Sequence, residues 1–432
     1  MTAHLAPAIA PRQPTAPVSV LQLRLHERLL GHLVAMPQGA SALVFDRAFV
    51  ADRERPAFTL SLLNAHPASH ALLSRPWLRA QGLHPVLANL VPEAATRTWL
   101  QRQLEIDDDN PTRLLAALGN DLRGALQLQA LAPDAIPPGV LDFNARAQAL
   151  PVPVADVAGM TPLAGTQPKL ALDLNSDSWH LADPHAGGHW LLKLPAAKAD
   201  GLPQNEYTAL TLAQLAGVDV PQFALVPLQA LTAPSGIDWS GDDHGLAVAR
   251  FDRGDDGTRI HCEDFAQVLF KVPDEKYSVT DAVVLGQLVH GFTASPQADT
   301  LQLARRLLVN VLLGNGDAHL KNWSLVYPDR HHARLAPAYD LQCTTLHANV
   351  QTQRWSIGGC DDWYTLDFGH FEQWGRAVGV PWRALKPVLK DTVERARTLW
   401  PAALEAAPML ETHKLLLRHH WKNLTKKLQY GL

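Results

Sequence analysis

Asp317 and Asn322 lie together in the stretch NVLLGNGDAHLKNWSLVY, residues 310–327, and this pair of residue types suits phosphoryl chemistry. A carboxylate can take up the proton of an attacking hydroxyl while an amide oxygen beside it holds a magnesium ion. The same side chains also occur in loops that do no chemistry, where they satisfy backbone groups. Asp340 ends the run ARLAPAYD and can supply a second magnesium ligand or cap a turn. Lys193 sits among apolar neighbours in WLLKLP and needs an anionic partner, which a nucleotide phosphate or a plain salt bridge would provide. Glu206, in NEYTALTLAQLAG, can pair with Lys193 or favour the positive end of its helix. The loop AGTQPKLAL, residues 164–172, offers Gly165 and then Lys169 as a phosphate cradle.

These residues need elements to hold them. An apolar helix over 301–313 is expected to stop at Gly314 in the left-handed conformation, and Trp323, Leu325 and Tyr327 then alternate as a strand. Asp317 and Asn322 therefore fall in one short loop. WLLKLP and ARLAPAYDLQ read as strands, and NEYTALTLAQLAG as a helix with Asn205 as its N-cap and Gly217 as its stop. Further upstream, Leu21, Leu23 and Leu25 alternate in VLQLRLH, and PEAATRTWLQRQL brings Trp99, Leu100 and Leu104 onto one helical face. Asn110 is expected to cap a helix opened by Pro111.

The chain has 432 residues, 47% hydrophobic and 19% charged, enough to bury two or three packed units. Its net charge of -4 excludes a chain that coats nucleic acid by bulk charge, although a local basic patch stays open. Cys262, Cys343 and Cys360 are too far apart for a zinc knuckle and odd in number for a disulfide framework, which points to a reducing compartment. No apolar run approaches the roughly 20 residues that cross a bilayer, so a cytoplasmic protein without membrane contact is expected. The twenty histidines show no metal-ligand spacing. The last helix carries Lys414, Arg418, Lys422, Lys426 and Lys427 around an apolar stripe, most simply as a solvated basic face.

The segments TPLAGTQPKLAL, WLLKLP, NEYTALTLAQLAGVDVP, LAVARFDR, HCEDFAQVL, LLGNGDAHLKNWSLVY and LAPAYDL, in this order, closely resemble the HipA family of bacterial Ser/Thr protein kinases, the toxins of HipBA toxin-antitoxin modules. TLSLL, LANLVPEAATRTWL and LLAALGNDLRGALQL resemble the small unit that precedes the kinase in that family. The resemblance thus covers nearly the whole chain after the tail. It implies Asp317 as catalytic base, Asn322 and Asp340 as Mg²⁺ ligands and Lys193 on the phosphates of ATP. Gly165, Gln167, Lys169, Glu206 and His319 would join the nucleotide site. LAVARFDR, residues 246–253, is similar to the family's hinge, where backbone groups would meet adenine, with Arg250 and Phe251 as its marked positions. Pro162 stands where the family often has a serine, with Thr161 adjacent, so self-phosphorylation is expected to be missing at that site.

The expected fold is α+β, protein-kinase-like and two-lobed, with a β-rich N-terminal subdomain and a mainly helical C-terminal lobe. Its expected parts are a disordered tail (1–17), the N-terminal subdomain (18–131), a proline-rich linker (132–155), an ATP-binding N-lobe (156–253) and a helical C-lobe (254–432). The resemblance implies transfer of the ATP γ-phosphoryl to a protein, such as an aminoacyl-tRNA synthetase or another translation factor, inhibiting growth and promoting persistence. A HipB-like helix-turn-helix antitoxin would neutralise the chain and bring it to operator DNA indirectly. A catalytically silent co-repressor and a small-molecule kinase are the alternatives.

Overall fold

The computed structural model describes residues 15–63, 67–104, 106, 110–142, 150–153, 169–175, 178–182, 187–195, 200–232, 243–346 and 352–428. Most of the expected tail, and Thr161, Pro162, Gly165 and Gln167 of the expected phosphate loop, lie outside the described residues.

The protein mixes helices and sheets, β-rich toward its start and helical toward its end. Strands β1 (Thr15–Val18), β2 (Val20–Leu25), β3 (Arg28–Ala35), β4 (Ser41–Phe45), β5 (Trp77–Arg79) and β6 (Leu126–Ala130) come first. Five of them form an antiparallel sheet in the order β5-β4-β3-β2-β6. Along β2 the period-2 pattern is direct: Leu21, Leu23 and Leu25 are buried and Arg24 is exposed. The helical pattern that follows becomes two helices, Ala94–Gln103 and Pro111–Leu118. Asn110 caps the second by accepting the Thr112 N–H at 3.0 Å.

The proline-rich stretch is not all linker. Its segment β7 (Leu150–Pro153) pairs antiparallel with β1, Pro17 opposite Pro151. Prolines lack the N–H that a ladder uses, which fits them to a two-stranded ribbon and not to the middle of a sheet.

The second sheet comprises β8 (Lys169–Asn175), β9 (Ser178–Leu181), β10 (Trp190–Lys193), β11 (Phe223–Pro227) and β12 (His244–Ala249), in the order β11-β12-β10-β8-β9. Leu170, Leu172 and Leu192 on one face join the core of the amino-terminal unit. Side chains alternate across a strand, so Lys169, Leu191 and Lys193 face the other way, toward the helical part.

That part packs helices Ala282–Phe292, Pro296–Leu313, Phe368–Val378, Trp382–Ala406 and Glu411–Asn423 around one large apolar core. A three-stranded sheet of β13 (His261–Asp264), β14 (Ser324–Tyr327) and β15 (Arg334–Leu335) lies beside it. The strand expected over ARLAPAYDLQ shrinks to β15, because Pro337 cannot continue the ladder. Lys414 is also not part of a solvated face: it is buried and donates to the Glu405 carbonyl at 2.9 Å and to Glu411 at 2.8 Å. Among the described residues no helix is long and apolar enough to cross a membrane.

Candidate active site

The helix Pro296–Leu313 ends where the sequence suggests, at Gly314 with φ 65° and ψ 40°. A Cβ there would come within 2.5 Å of the Thr345 methyl, so both backbone conformation and space call for glycine. The loop beyond is stitched from inside. Asn315 accepts the Asp317 N–H at 3.2 Å, Thr344 accepts the Gly316 N–H at 2.7 Å, and the Thr344 hydroxyl donates to the Gly314 carbonyl at 3.1 Å. This leaves Asp317 exposed at the mouth of a cavity of about 220 Å³, with Asn322 buried deeper.

Lys193 and Lys169 stand directly opposite each other on adjacent strands, their side chains on one face. Two neighbouring ammonium groups need anions. The Lys193 Nζ donates to Glu206 Oε1 at 2.5 Å and to Asp340 Oδ1. Burial opposes the charge on Lys193, but Asp340 and Glu206 outweigh it and raise its pKa. Burial likewise opposes the charge on Asp340, and Lys193 and Lys169 overcome it, holding the carboxyl far below the usual range. Burial and the nearby Asp340 push the Glu206 carboxyl up against the pull of Lys193, and burial lowers Lys169.

Glu206 reaches this cluster differently from the expectation. Its helix runs Leu202–Leu215, opened by Gly201 in the left-handed conformation, so Asn205 is not the cap and Glu206 sits inside the helix. Asn205 instead brackets the main chain of Cys343, accepting its N–H at 2.9 Å and donating to its carbonyl at 3.3 Å. That tie fixes the Glu206 helix to the segment carrying Asp340. Asp340 has φ 52°, a conformation that aspartate tolerates better than most side chains.

Asn322 donates from Nδ2 to Asp340 Oδ2 at 3.1 Å, and its buried Oδ1 has no partner. An orphaned amide oxygen beside a carboxylate fits a magnesium ion, which takes one or two protein oxygens and completes its shell with phosphate and water. His319 lies in the same cavity, its Nδ1 buried without a partner. Burial lowers its pKa to about 4, so it is neutral at physiological pH.

At the hinge positions the Arg250 side chain is turned to a structural task. Its guanidinium is fully buried and bonds to Asp121 at 2.8 Å and Asp252 at 3.0 Å. The side chain therefore clamps the amino-terminal unit to the second sheet, leaving only backbone for a nucleotide. The Phe251 ring tilts against Tyr339 at 5.6 Å.

Three features went unseen in the sequence. Arg123 lies over the rings of Tyr339 (4.9 Å) and Phe251 (5.5 Å) and donates to Ser324 Oγ at 2.6 Å. Glu93 accepts from Lys276 at 2.8 Å and from Lys321 of the Asp317 loop. The Tyr277 hydroxyl donates to Asp317 Oδ1 at 2.7 Å. Arg123 and Glu93 fall within stretches that resemble the family's amino-terminal unit, but no local spacing connects them with residues two hundred positions away.

Comparison with known proteins agrees with this architecture. The HipA N-terminal domain model matches residues 21–129, and the HipA-like C-terminal domain model matches residues 161–400. The chain is 32% identical over 410 residues to Y4dM of Sinorhizobium fredii, a protein named as a candidate kinase, covering 92% of this chain and 96% of that one. It is 24% identical over 300 residues to the serine/threonine-protein kinase toxin HipA of Shewanella oneidensis, covering 62% of this chain and 64% of that protein. The fold matches HipA from the solved Shewanella oneidensis complex of HipA, HipB and operator DNA with a TM-score of 0.67 at 20% identity, over 94% of this chain and 96% of that one. With both family domains in order along one chain and a relative of this identity over nearly its full length, the chain belongs to the HipA family.

Proposed function

We propose that this protein is a Mg²⁺- and ATP-dependent kinase that phosphorylates serine or threonine in a protein. The observation that carries the reading is the arrangement of buried Lys193, Glu206 and Asn322 around the half-buried Asp340, with Asp317 at the mouth of the same cavity. Lys193 and Lys169 would hold the phosphates, with Glu206 keeping Lys193 in place. Main chain around Arg250 and Phe251 would meet adenine. The loop carrying Gly165 and Gln167 would cover the phosphates. Asn322 Oδ1 and the Asp340 carboxylate would hold Mg²⁺, which when bound neutralises charge developing on the transferred group. Asp317 would orient the acceptor hydroxyl and accept its proton as the oxygen bonds to the γ-phosphorus and the bond to ADP breaks.

The boundaries proposed for the ATP-binding and helical lobes are 156–253 and 254–432. The Shewanella protein occurs in a complex with HipB and operator DNA. That supports a HipB-like antitoxin as a partner here, with DNA reached through it, and a cytoplasmic location. A translation factor such as an aminoacyl-tRNA synthetase is the proposed target. Incubation of the purified chain with Mg²⁺ and γ-labelled ATP in bacterial extract tests the reading. Label on serine or threonine of a discrete protein is expected, and label confined to small molecules would refute it.

A further inference from the structure

Asp317 is already occupied. The Tyr277 hydroxyl donates to its Oδ1 at 2.7 Å, the same contact that an acceptor hydroxyl must make to lose its proton there. The phenol is positioned by more than this bond. Its ring meets His319 edge-on at 5.1 Å, and the Arg354 guanidinium lies 5.3 Å from the ring centre. Arg354 also donates to the carbonyls of Tyr277 and Val279, fixing the backbone on either side of Ser278. Burial and the Asp317 charge raise the phenol's pKa, so it stays a donor at neutral pH.

Tyr277 is nevertheless 45% exposed and outside the apolar core, so it can yield its place without unpacking the fold. It lines both the nucleotide cavity and a second cavity of about 570 Å³, which also touches Arg79, Arg97 and Val272. Glu93, Lys276 and Tyr277 line both cavities, and of the three it is Tyr277 that bonds to Asp317.

We infer that Tyr277 is the acceptor-side gate of this site: its hydroxyl stands in for the substrate hydroxyl on Asp317, and an acceptor must displace it. This rests on the role proposed for Asp317. With the gate in place, a water molecule competes poorly for the carboxylate, so nucleotide is spared until an acceptor docks.

Tyr277→Phe keeps the ring and removes only the hydroxyl. Release of inorganic phosphate from Mg²⁺-ATP by the purified full chain, with water as the acceptor, reads the effect. One hydrogen bond to a carboxylate lost from the competition should raise kcat about tenfold while the KM for ATP stays within about twofold. Adding Asp317→Asn should return the rate to that of Asp317→Asn alone. If the wild type is active, an unchanged or lower kcat in Tyr277→Phe, or a rise that survives Asp317→Asn, overturns the gate and leaves the transferase reading standing. If the wild type and Tyr277→Phe bind Mg²⁺-ATP but neither releases phosphate nor labels protein, the transferase reading fails and the gate falls with it.

Discussion

Replacing Lys193 with Met separates two jobs that the geometry gives this residue. Its ammonium is bonded to Glu206 at 2.5 Å, in a pair whose side chains are 5% and 2% exposed. Removing the cation strands the Glu206 carboxylate, and an uncompensated buried charge costs about 3–5 kcal/mol. Asp340 suffers less, because its side chain is 27% exposed and Lys169 also attracts it. At about 2–4 °C per kcal/mol for a domain of roughly 200 residues, the melting temperature should fall by about 6–20 °C. Adding Glu206→Gln removes the stranded charge and should recover most of that loss. Nucleotide binding should not recover, because a charge-assisted contact to phosphate worth about 2 kcal/mol, or roughly thirtyfold in affinity, is still missing. Differential scanning fluorimetry and titration with a fluorescent ATP analogue read the two effects separately. If the double variant regains both stability and affinity, Lys193 is only a structural ion-pair partner.

Three other outcomes are expected. Asp340→Asn should weaken Mg²⁺-dependent nucleotide binding by about tenfold or more, since one charge on the metal site is lost; a Mg²⁺ titration identical to wild type would remove Asp340 from that role. Arg250→Met should destabilise the fold by about 1–3 kcal/mol, the loss of charged hydrogen bonds from Asp121 and Asp252, which keep Arg253 as a second partner, and an unchanged melting temperature would show that the clamp carries no stability. Stability should also fall as pH drops from about 6.5 toward about 4, because burial holds His26, His84, His261, His319 and His420 near pKa 4 when folded and they take up protons on unfolding. Glu263, raised by burial to about 7, works in the opposite direction between about 4.5 and 7, as do Glu206, Asp219 and Asp264, whose carboxyls burial also raises, but they are four carboxyls against five histidines. Calorimetry showing equal stability at about pH 6.5 and about pH 5 would contradict this balance.

Local patterns carried much of the site. Gly314 announced the end of its helix, and that fixed the loop holding Asp317 and Asn322. Apolar flanks marked Lys193 as a buried cation, and β10 places it so. What stayed hidden depends on residues distant in sequence. Nothing near Tyr277 signals its bond to Asp317, forty positions away. The Glu93–Lys321 pair likewise joins the amino-terminal unit to the helical part. Arg250 was visible as a hinge position, but its side-chain direction depended on Asp121, which only the folded chain brings near. Asn205 misled for a related reason: it has the chemistry of an N-cap, but Gly201 opens the helix a turn earlier and frees its amide for Cys343.

The most direct test compares wild type with Asp317→Ala in the transfer of labelled γ-phosphoryl from Mg²⁺-ATP to protein in bacterial extract, with nucleotide affinity measured on the same preparations. Asp317 is exposed and outside the core, so the variant should fold and bind Mg²⁺-ATP as before while transfer falls by about a hundredfold or more. Transfer at the wild-type rate by a folded Asp317→Ala protein would contradict the assignment of the base and, with it, the chemistry proposed for this cavity.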